Sequence, residues 1–497
     1  LEKRLMNTPL GTPLRPYQDA GVRMIRDWDG RVLLCDDPGL GKTVQILQYV
    51  WRFLPKDPPG AVVVVGPAHS KRIWERISRE HFGFRIELLE GQRVDPDKLP
   101  LWDNDSILAI NYEILTPPAK DGVSSSWKPN MPVPKDSWLA WLLKLPIRLL
   151  ISDEGHALSN PLSARTRAVR RIARNTKRVI IATGTPVSNR VPSLWALLNI
   201  LDPEEYPSYF DYVNHYCFAE ESFGETIYKG ARNLDHLNDR LKGRLPGVRG
   251  CLIRRRKEDV LADLPPIRHE IIPIEVDLRE YRTAEINFLL WLENEYNNEK
   301  PGERQTKARS RLGFLKRLAA RLKLRNALAW IDDFLQSGNK LLLGVVHYFV
   351  SGALMEKFGD RAVLVDGRLT DVAKHAGFNR FNTDPTCELC VGNVLSAGSA
   401  WSCTSTSDSA LLELPWRFCE LDQFQSRTHG IGRGVANRGS HLRIFVAEGT
   451  IEEDIVGMIQ EKHDQAAEIL DGGASEEFNL DDLIFRMKSR HGRKDSI

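Results

Sequence analysis

The chain has 497 residues, with 69 Lys and Arg against 66 Asp and Glu, a formal net charge of +3 and 42% hydrophobic residues. At roughly 100–200 residues per domain this length suggests about three domains, or two large ones with insertions, and the apolar fraction excludes a chiefly disordered chain. The longest apolar run, around 341–350, is too short for a membrane span and contains His347, so an integral membrane protein is excluded.

The opening Leu-Glu-Lys-Arg carries no apolar segment of the secretory kind. Seven scattered cysteines exclude a disulfide scaffold and fit a reducing compartment. Cys387 and Cys390 form one C-x-x-C without a second pair, which reads as thiols on or beside a buried strand rather than as a metal site.

Short apolar runs alternate with helical patterns along the chain. Strands are predicted at 31–35, 61–65, 106–110, 148–152 and 178–182, each followed by turn residues and then a helix. That layout belongs to a doubly wound parallel sheet. A loop rich in Ser and Pro is predicted at 121–134, and helices at 195–201 and across 279–335. Within the latter, residues 304–325 hold nine Lys/Arg and no Asp or Glu. Leu312, Leu315, Leu318 and Leu322 recur there at helical spacing, so one side is expected to be packed, and the basic side faces either solvent or phosphates. A second α/β series follows, with strands at 340–346, 362–365, 388–395, 409–414 and 441–446.

The expected organisation is an N-terminal extension (1–12), a first lobe (13–250, with a helical insertion from about 204), a bridge and basic helical region (251–338), a second lobe (339–470) and a tail (471–497).

The sharpest chemical signal is Asp36-Asp37-Pro38-Gly39-Leu40-Gly41-Lys42-Thr43, directly after the first strand. Glycines let such a loop point its N–H groups at phosphate oxygens, and the helix that follows adds its positive N-terminus. Lys42 then reaches the β- and γ-phosphates and the Thr43 hydroxyl binds Mg²⁺. The generic pattern has Gly where this chain has Asp36. A partner motif, Asp153-Glu154-Gly155-His156, begins 111 residues after Lys42 (153 − 42), at the end of the strand 148–152. Asp153 would complete the metal's surroundings, and Glu154 would position or deprotonate the attacking water. Together the two motifs make an NTP site.

The surrounding residues resemble the Swi/Snf family of helicase-like DNA translocases, in the second helicase superfamily. Leu14-Arg15-Pro16-Tyr17-Gln18, residues 36–43, Thr183-Gly184-Thr185-Pro186 and Leu194-Trp195-Ala196-Leu197-Leu198 are similar to its motifs, in order. So are Arg254-Arg255-Arg256-Lys257-Glu258-Asp259-Val260, Val365-Asp366-Gly367 and 423–433. The compact bridge and residues 411–416 look most like the branch of annealing helicases and fork-remodelling enzymes.

The resemblance implies two RecA-like doubly wound parallel-sheet lobes of α/β class with helical insertions between them. It implies ATP and Mg²⁺ as cofactors. Arg15, Gln18, Asp37, Gly39, Leu40, Gly41, Lys42 and Thr43 would bind the nucleotide, with Gln18 reading the adenine edge. Thr43 and Asp153 would hold the metal, Glu154 and Lys42 would act in hydrolysis, and Thr183, Gly184 and Thr185 would couple hydrolysis to movement.

Two departures stand out. The family's sixth motif carries R-x-x-R, whereas here Arg427 is followed by Gly430; Arg433 either stands in for the second arginine, with the loop re-routed around Gly430 and Gly432, or is a surface residue. Residues 397–401 (Ala-Gly-Ser-Ala-Trp) depart from the fifth motif. An arginine that stabilises charge in phosphoryl transfer can be worth orders of magnitude in rate.

By position, sequence-independent DNA contacts would come from Lys71, Asn111, Tyr112, Ser188, Asn189, Arg190, His347, Ser396 and Trp401. Trp416 and Trp401 read first as packed rings. The expectation is an ATP-dependent translocase on double-stranded or branched DNA, monomeric, and cytoplasmic in a bacterial or viral host. The alternatives are a nucleotide-gated DNA-binding module with little hydrolysis and an RNA helicase.

Overall fold

A computed structural model describes residues 7–100, 103, 106–115, 133–184, 191–222, 225–229, 232–261, 264, 267–296, 301–394, 403–416, 418–429, 439–458, 483 and 486–487. They fall into two compact units, one ending at Leu261 and the other beginning beyond it. The loop expected at 121–134 and the tail lie almost wholly outside the described residues.

In the first unit the chain runs α1 (Pro16–Asp27), β1 (Arg31–Leu34), α2 (Lys42–Arg52), β2 (Ala61–Gly66), α3 (Ser70–His81), β3 (Arg85–Leu88), β4 (Ser106–Asn111), β5 (Ile147–Asp153), α4 (Ala164–Arg174), β6 (Val179–Ala182) and α5 (Val191–Leu201). A small antiparallel hairpin, β7 (Phe218–Ser222) and β8 (Glu225–Lys229), follows, and then β9 (Leu252–Ile253). Seven strands form one sheet in the order β3-β4-β2-β5-β6-β1-β9, with every pairing parallel.

The near-continuous apolar runs are what such a sheet requires, because helices cover both faces and alternate residues enter opposite cores. Leu33, Val63, Leu108, Leu150 and Ile181 join one core, while Val32, Val62, Ile107, Leu149 and Ile180 join the other. All five strands expected here are present. The sequence did not reveal the edge strands β3 and β9.

The second unit contains β10 (Arg268–Ile274), α6 (Leu278–Asn294), α7 (Pro301–Gln336), β11 (Leu341–Val345), α8 (Tyr348–Phe358), β12 (Ala362–Val365), α9 (Asp371–Thr383), β13 (Leu389–Asn393), β14 (Asp408–Leu411), α10 (Phe418–Gln425) and β15 (His441–Ala447). Its six strands are again all parallel, in the order β10-β15-β14-β11-β13-β12. Residues 251–338 are divided between the units: β9 extends the first sheet, and β10 forms the edge of the second. Cys387 and Cys390 are buried thiols, Cys390 within β13.

The basic run on α7 is not one solvated face. Lys316 and Lys323 lie two helical turns apart on the buried side with Leu312, Leu315 and Ala319. Lys323 Nζ bonds both Glu452 oxygens, at 2.7 and 2.6 Å, and the Phe445 carbonyl at 2.7 Å. Lys316 Nζ sits 4.4 Å from the centre of the Trp416 ring. Arg311 lies over Trp291, and Arg321 pairs with Glu280.

Candidate nucleotide site and nucleic-acid surface

Strand order assembles the nucleotide motifs. Because β6 lies between β1 and β5, the loop after β1, the Thr183–Gly184 turn after β6 and the Asp153–Glu154 turn after β5 occupy three adjacent strand ends. With strands roughly 4.8 Å apart, residues 111 positions apart in sequence come within reach of one ligand.

The loop itself is a tight cradle. Gly39 and Gly41 have φ of +94° and +78°, which glycine tolerates. A Cβ on Gly41 would stand 2.5 Å from Gln18 Nε2, and one on Gly184 would stand 2.8 Å from Pro38 Cγ. Lys42 Nζ donates to the Asp36 carbonyl at 2.7 Å, and Lys42 opens α2. Gln18 donates to the Leu40 carbonyl at 3.2 Å and accepts the Arg15 N–H at 3.0 Å, while the Tyr17 hydroxyl donates to the same Leu40 carbonyl at 3.1 Å. The first helix therefore holds the phosphate loop from the side.

The loop's departure at Asp36 has a structural reason. Asp36 is fully buried and receives Arg255 Nε on Oδ1 at 2.9 Å and Arg255 Nη2 on Oδ2 at 2.6 Å. Gln45 Nε2 adds a third donor at 2.9 Å, and Arg255 also donates to Gln45 Oε1 and to the Tyr17 carbonyl. Asp37 pairs with Arg254 at 3.3 Å and accepts the Lys257 N–H at 2.9 Å. The basic segment after β9 is thus the counter-charge of the two aspartates.

Asp153 and Glu154 are braced from beneath. Trp74 Nε1 on α3 donates to Asp153 Oδ2 at 3.0 Å, and the Tyr112 hydroxyl donates to the Asp153 carbonyl at 2.8 Å. Glu154 adopts φ +48°, in the left-handed region that non-glycine residues enter at some cost and that recurs at functional sites. His156 Nδ1 lies 3.4 Å from Glu154 Oε2 and 3.3 Å from Thr183 Oγ1, joining the carboxylate to the neighbouring strand end.

Burial and the adjacent Glu154 charge raise the Asp153 carboxyl above its ordinary range. Burial also opposes charge on Glu154, but the His156 hydrogen bond and charge, with Lys42 and His69, lower it on balance. Two adjoining carboxylates with one raised are a donor set that a divalent cation relieves, and Thr43 stands at the start of the neighbouring helix. These residues fit Mg²⁺ and a nucleoside triphosphate.

Arg427 follows α10; its side chain is buried, and its carbonyl accepts the Cys403 N–H at 3.0 Å. Among the expected DNA contacts, Lys71 donates to the Leu89 carbonyl at 3.0 Å, and burial lowers its pKa. Asn111 donates to Glu113 at 2.9 Å. The Tyr112 side chain is buried with its hydroxyl on the Asp153 carbonyl, so the group it leaves for the expected DNA contact is its backbone. His347 lies in the turn after β11, where buried Glu413 accepts its ring and, at 2.8 and 2.9 Å, the Val346 and His347 N–H groups. Asn393 Nδ2 donates to the Val346 carbonyl at 2.8 Å. Thr185, Ser188, Asn189, Arg190, Ser396, Trp401, Gly430 and Arg433 lie outside the described residues. Trp416 is half-buried against the second unit's core, as a packed ring should be.

Residues 17–320 match the SNF2-related domain. The chain belongs to the SNF2-related family. It is 26% identical over 466 residues to a Xenopus tropicalis SWI/SNF-related matrix-associated actin-dependent regulator of chromatin subfamily A-like protein 1, covering 92% of this chain and 45% of that protein. It is 24% identical over 479 residues to the human DNA annealing helicase and endonuclease ZRANB3, covering 93% and 41%.

This SNF2-related chain thus spans less than half the length of those relatives. A solved Sulfolobus solfataricus SWI2/SNF2 ATPase core in complex with dsDNA aligns with 91% of the chain and 92% of its own, at 18% identity and a TM-score of 0.40. The animal relatives lend no support to the expected bacterial or viral cytoplasmic setting. Among the described residues no helix is long and apolar enough to cross a membrane.

Sequence reasoning assigned no role to Trp74, His156, Arg255 or Glu413. The signal for His156 was its place in Asp-Glu-Gly-His, and for Arg255 the Arg-Arg-Arg-Lys run. Glu413 lay within the 411–416 stretch, and nothing local marked Trp74.

Proposed function

We propose that this SNF2-related chain is a DNA-dependent ATPase that couples hydrolysis to movement along double-stranded DNA, including forks and junctions. The observation that carries the reading is the convergence of Lys42 and Thr43, Thr183 and Gly184, and Asp153 and Glu154 on three adjacent strand ends of one sheet. Membership of the family and the annealing-helicase name of one relative support the DNA side.

In this reading Gly39, Leu40, Gly41 and Lys42 cradle the phosphates, Asp37 and the Arg15–Gln18 segment line the loop's flank, and Thr43 and Asp153 hold Mg²⁺. When bound, the metal neutralises charge that develops on the transferred phosphoryl group. Glu154 orients the water and takes its proton, and His156 keeps that carboxylate pointed and ionised. Thr183 reports the state of Glu154 through the same imidazole. Arg427, with Arg433 replacing the arginine missing at Gly430, supplies the charge that stabilises the transferred phosphoryl group. Lys71, Asn111, Ser188, Asn189, Arg190, His347, Ser396 and Trp401 contact the DNA, without reading bases. The protein acts as a monomer.

The test is steady-state ATP hydrolysis with no nucleic acid, single-stranded DNA, duplex DNA, forked DNA and RNA. Strong stimulation by duplex or forked DNA is expected, with Lys42→Ala and Glu154→Gln abolishing turnover while DNA binding persists. Wild-type turnover in either variant removes the site assignment. A second reading, a nucleotide-gated DNA binder, is favoured by Gly430, and it predicts binding of ATP and DNA with no hydrolysis on any substrate.

A further inference from the structure

The turn after β11 offers more than a phosphate contact. Helix α8 starts there with His347 as its N-cap and no acidic residue in its first turn. The next two side chains are exposed aromatic rings, Tyr348 at 54% and Phe349 at 39%. One face of the Tyr348 ring is taken by Arg368, whose guanidinium carbon lies 4.5 Å from the ring centre.

Arg368 is itself fixed. Its Nε and Nη2 donate to Asp366 Oδ2 at 2.9 and 2.5 Å, its backbone N–H donates to Asp366 Oδ1 at 2.9 Å, and Nη2 reaches Ser351 Oγ at 3.3 Å. Ser351 Oγ in turn donates to the Tyr348 carbonyl at 3.0 Å. Among the described residues the carboxylates touching this cluster, Asp366 and Glu413, are buried and engaged by Arg368 and His347, so the groups it presents outward are the two rings and the edge of the Arg368 guanidinium.

A single exposed aromatic needs no explanation. A ring clamped by an ion-paired arginine and set beside a second exposed ring suits a flat heteroaromatic group. We propose that Tyr348, backed by Arg368, is a stacking platform for an unpaired nucleobase, so that the protein grips DNA carrying a single-stranded segment through a base as well as through phosphates. This rests on the DNA-binding reading above and deepens it: a fully paired duplex keeps its bases stacked on one another and cannot use the platform. Arg368 both polarises the ring from behind and stops it from rotating away.

The experiment uses the full chain and three labelled DNAs at one salt concentration: a blunt duplex, the same duplex with a short single-stranded tail, and that tailed duplex with abasic sites in the tail. Fluorescence anisotropy gives each affinity, and 2-aminopurine in the tail reports stacking by its quenching. The wild type should bind the base-bearing tail about tenfold tighter than the abasic one, the scale of a single base–aromatic stack. Tyr348→Ala should abolish that preference and the quenching while leaving blunt-duplex affinity within twofold, and Tyr348→Phe should keep both. Equal wild-type affinity for base-bearing and abasic tails overturns the platform, as does a Tyr348→Ala variant weakened equally on all three DNAs; in either case DNA binding itself stands. A wild type that binds none of the three removes the DNA reading and the platform together.

Discussion

Replacing Arg255 by Met tests whether the phosphate loop depends on a buried ionic lock. The change keeps most of the aliphatic stem but removes both donors to Asp36, the bond to Gln45 Oε1 and the bond to the Tyr17 carbonyl. Asp36 is fully buried, so it is left with Gln45 Nε2 as its remaining side-chain donor. Breaking a buried pair from one side typically costs about 3–5 kcal/mol, because the surviving charge stays desolvated. Arg255 retains 16% side-chain exposure, which lets some water in and favours the lower end, about 3 kcal/mol.

For a unit of this size that corresponds to a fall of roughly 6–12 °C in the transition that reports it. Thermal and urea unfolding of the full chain, followed by tryptophan fluorescence, reads the effect. The double variant Arg255→Met with Asp36→Asn should recover part of the loss, since a neutral amide is cheaper to bury than a carboxylate. A single variant within about 0.5 kcal/mol of wild type, or an Asp36→Asn change that adds further loss to the first, would refute the lock.

Trp74→Phe removes the indole donor to Asp153 while leaving an aromatic ring in the core, so a modest destabilisation of about 1–3 kcal/mol is expected. Its diagnostic effect is a rise of roughly tenfold or more in the Mg²⁺ concentration that gives half-maximal hydrolysis, measured by magnesium titration; an unchanged titration curve means Trp74 does not position the carboxylate. Burial lowers the Lys316 pKa from 10.5 to about 8, so between those values the unfolded chain holds a proton that the fold has released. Stability should therefore rise with pH from about 8 towards 10.5, and below 8 the fold carries the full burden of a buried charge. Lys316→Met should accordingly stabilise the second unit at pH 7, on the order of 3 kcal/mol, and flatten that pH dependence in denaturant melts. Lys323→Met should do the opposite at neutral pH, costing about 3–5 kcal/mol, because Glu452 is left charged and fully buried.

The fold was legible where burial writes itself into sequence. Most strands lying between two neighbours, such as Ala61–Gly66, Ile147–Asp153 and Leu341–Val345, read as apolar runs, because helices cover both faces of a parallel sheet. The strands that escaped notice lie at edges. Arg85–Leu88 alternates Arg, Ile, Glu and Leu, and Arg268–Ile274 carries Arg, His, Glu and a proline. An edge strand is kept polar to discourage further pairing, so it mimics a loop. Lys316 and Lys323 misled for the converse reason: a lysine on a helix reads as solvated until the carboxylate or ring that receives it is known.

The candidate site's motifs were legible because the proposed chemistry demands local spacing, whereas the residues that support them obey no spacing at all. Arg255 meets Asp36 across 219 positions, Trp74 meets Asp153 across 79, and Glu413 meets the His347 turn across 66. Each support does the same physical work: it reaches from another segment of its unit into a turn at the C-terminal end of a parallel strand and satisfies a polar group there. Such turns must leave the ladder to meet a ligand, so their backbone groups and carboxylates lose the pairing that a strand would supply. Something outside the turn has to restore it, and a buried partner restores it with the turn already in its working shape. The replacement of the generic glycine by Asp36 belongs to this pattern. A glycine would have left the loop's shape to its own backbone; an aspartate locked to Arg255 makes that shape a property of the whole first unit.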